Sequence, residues 1–202
     1  GSSHYAHSLG TTSSFASLTQ EDFTIAFWLK ATNQSSGNFG WIIGNGNVSS
    51  ADNGFIIGGD WVAGSSFYIN MRGGANNKTA FNDLQITGSI FSEDDKWHHY
   101  VFEFDNTNEL LSVFKDGANT ATSTHAYAEQ ISGNASTTYT AMTIGRMGGT
   151  SSRFYDGGMC DVGIWKRLLS TGASSEVSTL YGTHDPDTTA DASNTGVAIS
   201  TL

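Results

Sequence analysis

The sequence predicts an all-β protein, an antiparallel two-sheet sandwich with one short helix near the C-terminus. Three observations predict it. Short apolar runs with two-residue alternation follow one another without intervening helical periodicity, which favours antiparallel sheets over alternating βαβ units. Turn residues bound nearly every run, in a chain with 24 Gly, 1 Pro and many Ser, Thr and Asn, the composition of many strands joined by polar turns. Finally, 202 residues of which 38% are hydrophobic and only 14% charged suit one sizeable core.

The clearest strand is 23–30, where Phe23, Ile25, Phe27 and Leu29 alternate with Thr24, Ala26, Trp28 and Lys30, as in a strand with one face on the core. Further strands are expected at 40–44, 54–58, 67–71, 84–87, 97–105, 110–115, 142–146 and 159–165. Asn106-Thr107-Asn108 supplies the turn between two of them and Asp116-Gly117 a second turn signal, so 97–117 is expected to be a β-hairpin. One short helix is predicted over 175–181. Val177, Leu180 and Tyr181 fall at helical spacing there, Ser174 can cap the start and Gly182 can end it. Residues 183–202 have no periodicity and read as a tail or linker after a domain spanning 1–182.

Charge and cysteine content exclude several functions. A formal net charge of -10, with no cluster of Lys or Arg, repels a phosphate backbone and argues against nucleic acid. No apolar run approaches the ~18 residues that cross a bilayer, so membrane insertion is not expected. Cys160 is the single cysteine, which rules out an intrachain disulfide and a Cys-rich metal site and leaves the compartment undetermined by cysteine use.

Several segments resemble the laminin-G-like and pentraxin-like jelly rolls of the concanavalin A-like lectin/glucanase superfamily. Residues 12–18 resemble the opening strand of that family and 23–30 its second. Lys96-Trp97-His98-His99-Tyr100-Val101, followed by Leu111-Ser112-Val113-Phe114-Lys115-Asp116-Gly117, resembles its Trp-His-His hairpin, and Thr143-Ile144-Gly145-Arg146 a later strand. Residues 154–165, then Leu168-Leu169-Ser170 and 176–181, are similar to its closing strand and helix. Together these cover 8–182, in order, and imply a jelly-roll sandwich without implying one activity.

The resemblance also implies where a metal would sit. Pentraxins hold calcium partly through an Asp-Asn pair ahead of a strand, and Asp52-Asn53 precede Gly54-Phe55-Ile56-Ile57 here. Calcium takes six to eight oxygens, and the acidic loop of pentraxins would fall at 147–153, which carries no Asp or Glu. A calcium site would therefore draw on Asp60, Asp83 or backbone carbonyls as well. Some glucanases of the superfamily carry Glu-x-Asp-x-Glu on one strand. Alternation puts Glu103 and Asp105 on one face, about 6.6 Å apart along the strand, but the turn at 106–108 moves Glu109 to the next strand and breaks the catalytic pattern. The two acids then read as solvated groups near a hairpin tip. His98 and His99 point to opposite faces and cannot form a two-His metal site by themselves.

The remaining handle is aromatic. Sugar sites stack a pyranose on a ring while amides and carboxylates bond its hydroxyls. Trp41, Trp61, Tyr68 and Tyr155 lie in or beside polar, Gly-rich stretches and are the candidate ligand-binding residues, whereas Trp28, Trp97 and Trp165 sit in strand motifs and read as core. The expected function is a noncatalytic recognition module that binds glycan or a protein surface, with calcium as its candidate cofactor, outside the cell, on its surface or on a virion. A structural or attachment domain such as a fibre or decoration protein, assembled as a homo-oligomer, is the alternative, and a glycan-cleaving enzyme the third.

Overall fold

A computed structural model describes residues 6–7, 18, 21–31, 39–45, 54–60, 67–72, 84–86, 94–105, 107–108, 110–124, 142–146 and 154–183. The chain divides into two compact units, each built on one antiparallel sheet: residues 1–20, 33–91 and 125–156 form the first, and 21–32, 92–124 and 157–202 the second. The described residues are mostly strand, with a single short α-helix, in agreement with the sequence expectation.

The second unit carries five strands, β2 (Phe23–Ala31), β7 (Trp97–Asp105), β8 (Leu110–Lys115), β9 (Ala118–Thr124) and β11 (Gly157–Trp165), in the order β11-β2-β7-β8-β9. Phe23, Ile25 and Phe27 pair with Phe104, Phe102 and Tyr100, which in turn pair with Leu111, Val113 and Lys115. One face of the sheet is thus almost continuously aromatic and aliphatic. Phe23 stacks on Phe104 with ring centroids 4.2 Å apart, and Phe27 lies 5.6 Å from Phe102, contacts that add to area burial.

The opposite face of β2 is buried too, contrary to the single buried face that alternation predicts. Thr24, Ala26 and Trp28 are all under 5% exposed. The cause is local to this unit: the segment after β11 and the helix α1 (Glu176–Thr183) lie over that face. Ala26, Val101, Phe114, Leu169 and Val177 form one buried cluster, flanked by Trp165 and Leu180, and Thr24 Oγ1 donates to the Arg167 carbonyl at 2.8 Å.

The helix begins one residue later than expected, and a different serine caps it. Ser175 Oγ accepts the Ser178 N–H at 3.2 Å, the geometry of an N-cap to the third helical residue. Ser174 instead takes a left-handed φ of 62°, which a cap residue does not use. Gly182 lies inside the last turn and does not end it.

Turns follow their residue chemistry. Asp116 and Gly117 both have positive φ, 51° and 77°, and form a two-residue loop between the paired Lys115 and Ala118, the arrangement Asp-Gly favours. The hairpin expected at 97–117 therefore continues into β9, whose Ala-Asn-Thr-Ala-Thr-Ser-Thr run has no apolar alternation to announce it. The β7–β8 turn is held by Asp105, whose carboxylate accepts the Asn108 N–H and its Nδ2–H, both at 2.8 Å.

The first unit carries β1 (Ala6–His7), β3 (Phe39–Gly44), β4 (Gly54–Asp60), β5 (Phe67–Arg72), β6 (Leu84–Ile86) and β10 (Thr143–Ile144), in the order β1-β10-β3-β4-β5-β6. Ile42, Ile43, Phe55 and Ile57 are fully buried. Strand β10 is shorter than the expected 142–146, because Gly145 turns out of it with φ 79° while its N–H reaches the Ile42 carbonyl at 2.7 Å. The opening strand expected at 12–18 lies outside the described residues except for Leu18, which is buried, and 184–202 lie outside them entirely.

Candidate functional site

Trp41 and Tyr155 are the two sequence-derived candidates whose side chains the structure describes. Trp41 is 3% exposed and Tyr155 9%, so neither offers a ring face to a sugar. The Trp41 ring lies over Gly58, its partner across β3 and β4, and the glycine leaves the space it fills. These two assignments are corrected to packing roles. Tyr68 lies on β5 with its side chain outside the described residues, and Trp61, Asp52 and Asn53 lie outside them altogether. Among the described residues no group of three or more His, Cys, Asp and Glu side chains is gathered as a metal would require.

Glu103 departs most from expectation. It is 6% exposed, not solvated, because the chain after β11 closes over it: Glu103 Oε1 accepts the Leu169 N–H at 3.2 Å. Burial pushes its carboxyl up to about 7, the Leu169 N–H opposes the rise, and the Asp105 and Glu176 charges add to it. Glu103 stands in a polar rung crossing the sheet, Thr24–Glu103–Ser112–Thr122, each paired with the next. The Ser112 and Thr122 hydroxyls lie 3.4 Å apart, and Asn119 Nδ2 donates to Thr122 Oγ1 at 3.3 Å.

This rung opens into a cavity of about 540 Å³ on the helix-bearing face. Glu103, Ser112, Phe114 and Asn119 line it from the strands, Thr171 to Ala173 from the loop before the helix, and Ser178 from the helix itself. The loop holds two left-handed residues on either side of Ala173, Gly172 with φ 105° and Ser174 with φ 62°, a strained conformation for the serine. A clasp fixes the loop: Glu176 Oε2 accepts from Arg167 Nη1 at 2.8 Å and from the Ser170 N–H at 2.9 Å, while Ser170 Oγ accepts the Glu176 N–H at 3.0 Å. The Arg167 hydrogen bond, then that of Ser170, holds the Glu176 carboxyl down to about 2.

Beside the cavity, α1 presents Tyr181, 41% exposed and the one exposed large apolar side chain among the described residues. Its ring stacks on Trp28 at 5.8 Å and 25° and lies over Gly117, where an added Cβ would come within 3.1 Å of it. Tyr181 entered the sequence reading only as a helical apolar position. Its exposure follows from where α1 ends over the sheet, which no local pattern encodes.

The two histidines take separate structural roles. The His98 ring lies between Asp116 Oδ2 at 2.7 Å and Asp94 Oδ1 at 3.2 Å, and Asp116 Oδ1 also accepts the His99 N–H at 3.0 Å. His99 is 2% exposed, between Trp28 and Tyr181 with ring centroids at 5.3 and 6.3 Å. Its Nδ1 is buried without a hydrogen-bond partner. Burial drives its pKa down to about 4 against the opposing pull of Asp116, so the ring is neutral near pH 7.

Comparison with known proteins agrees with this architecture. A search of curated sequences finds no match. Among solved structures, the chain resembles the native heptameric SAP-like pentraxin from Limulus polyphemus, with 20% identity over 82% of this chain and 72% of that one and a TM-score of 0.57. The sialidase module CBM40 of Ruminococcus gnavus, bound to α2,3-sialyllactose, gives 18% identity, 81% and 86% coverage and a TM-score of 0.58. The leech intramolecular trans-sialidase gives 17% identity and a TM-score of 0.62 over 83% of this chain, which spans only 25% of that enzyme. At such identities the likeness establishes the fold. The sequence itself matches the family model described as the concanavalin A-like lectin/glucanases superfamily over residues 5–173, and the chain, with its two antiparallel sheets and short helix, is a jelly-roll member of that superfamily.

Proposed function

We propose that the chain is a noncatalytic glycan-recognition module that acts outside the cell. The observation that carries this reading is the match along 86% of a solved sialidase carbohydrate-binding module, of which this chain uses 81% of its own length. The carboxylates support the noncatalytic half. A glycosidase needs two carboxyl groups facing one scissile bond, whereas Asp105 is occupied in closing the β7–β8 turn and Glu103 in holding the Leu169 backbone.

A glycan array probed with the purified chain, in calcium and again in chelator, tests the reading. Retention on a defined set of glycans without product release supports it, and loss of that retention in chelator would add calcium as an aid to binding, with Asp52 and Asn53 the first ligands to substitute. Retention of no glycan in either buffer, together with a stable oligomer in solution, overturns it in favour of an attachment or decoration role. Product release abolished by Glu103→Gln would overturn the noncatalytic half.

A further inference from the structure

We propose that the cavity on the helix-bearing face of the five-stranded sheet is the glycan site, and that it takes a neutral pyranose anchored by Glu103 and stacked beside Tyr181. This rests on the glycan-recognition reading and gives it a place and a ligand class. The volume of about 540 Å³ falls within the range of small-molecule sites, in a form open to solvent on one side. The lining has the mixture a sugar requires. Phe114 offers an apolar patch, while the Ser112, Thr171 and Ser178 hydroxyls and the Asn119 amide bring donor and acceptor groups to the lining.

Glu103 gives the cavity an anchor that is already oriented. One carboxyl oxygen is fixed by the Leu169 N–H, and the side chain reaches the cavity wall although the residue is only 6% exposed. A carboxyl locked this way loses little freedom when it bonds a hydroxyl, and so contributes more to affinity than a mobile surface acid. Tyr181 lies over Gly117, itself a lining residue, and its ring is backed by Trp28, a platform for the apolar face of a sugar ring. Thr171, Gly172 and Ala173 form the third wall, and Ser174 after them is held at a left-handed φ of 62°; strain of this kind concentrates at sites that bind.

Charge selects the ligand class. Glu103 is the sole ionisable side chain among the lining residues, and the neighbouring acids Asp105 and Glu176 add negative potential at it. Arg167, in the segment that covers this face, is held by Glu176 in a two-pronged ion pair. None of the described lining residues carries a positive group for a carboxylate or sulfate on a sugar, and a net charge of -10 disfavours anionic ligands at longer range. The cavity therefore differs in kind from a sialic acid site.

The test uses the whole chain with lactose, N-acetyllactosamine, a neutral monosaccharide panel and α2,3-sialyllactose, read by titration calorimetry and by amide chemical-shift mapping. The proposal expects a neutral glycan to bind best and to shift amides at 112–119 and 171–178. Ala173→Trp, which fills the cavity from an exposed position, is expected to weaken that binding at least tenfold at the wild-type melting temperature, and Tyr181→Ala about tenfold with a lower melting temperature from the lost stacking on Trp28. If glycans bind but neither variant changes affinity and the shifts fall elsewhere, this site is wrong while glycan recognition stands. Tightest binding to α2,3-sialyllactose overturns the neutral class. If nothing in the panel or on the array binds, both the site and the recognition reading fall.

Discussion

Glu103 and His99 stand four residues apart on one face of one strand, and burial moves their proton affinities in directions that cancel. The Glu103 carboxyl rises from its ordinary 4.5 to about 7. Between those values the folded chain holds a proton that the unfolded chain has lost, so stability falls as pH rises. At about 1.4 kcal/mol per pH unit the ceiling is ~3 kcal/mol, reduced by water in the cavity. His99 is depressed from 6.5 to about 4. Its contribution is complete above pH 6.5 and is lost as pH falls toward 4, with a ceiling of similar size. From pH 5 to 6.5 the two slopes oppose each other, and the wild-type profile should be nearly flat.

Glu103→Gln keeps an oxygen for the Leu169 N–H and removes the titration. The variant should then lose stability on acidification from pH 6.5 to 5, by roughly 1 to 2 kcal/mol relative to its own value at 6.5. His99→Phe should do the reverse, losing stability as pH rises through the same window. It should also match or exceed wild type at pH 7, because it removes an unpaired buried nitrogen. Urea midpoints followed by tryptophan fluorescence at half-unit steps of pH measure both. Profiles of both variants running parallel to wild type across pH 5 to 6.5 would refute the burial of these groups and the coverage of this sheet face by the helix segment.

Other substitutions probe single contacts. Asp116→Ala removes the acceptor shared by the His98 ring and the His99 N–H and puts alanine at φ 51°; a loss of about 2 to 3 kcal/mol in urea unfolding is expected. Gly58→Ala would drive a Cβ into the Trp41 ring and to 2.8 Å from the Gly40 carbonyl, and should lower stability by about 1 to 3 kcal/mol with altered tryptophan emission. Gly172→Ala meets no neighbour within 4 Å, so a loss of about 1 kcal/mol or more there would isolate the backbone strain of φ 105°; an unchanged midpoint would show that the loop relaxes. Arg167→Ala should cost under about 1 kcal/mol, since the pair is exposed to solvent.

Strand identity was legible wherever side-chain alternation met a turn signal, as in β2, β7 and β8, since period two and turn chemistry are properties of neighbouring residues. The Asp116-Gly117 turn was legible too, but β9 beyond it was not: a run of Ala, Asn, Thr and Ser pairs through its backbone, which every sequence has. The site was less accessible. Trp41 and Tyr155 look exposed from their polar, Gly-rich surroundings, yet glycine opposite a tryptophan is where a ring can lie down and be buried. Glu103 looks solvated because its strand neighbours and the following turn suggest an outward face. What covers that face is the stretch from Lys166 to Thr183, more than sixty residues away in sequence.

The sequence by itself determined the all-β class, most of its strands, the short helix and membership in a superfamily of sandwiches, because these depend on local periodicity and on the order of motifs along the chain. Only the tertiary structure decided that the second face of the five-stranded sheet is covered, that Glu103 is a buried acid at the floor of a cavity, and that Tyr181 is exposed. Those are consequences of which distant segment lies over which rung, and burial, proton affinity and concavity do not exist until that contact is made.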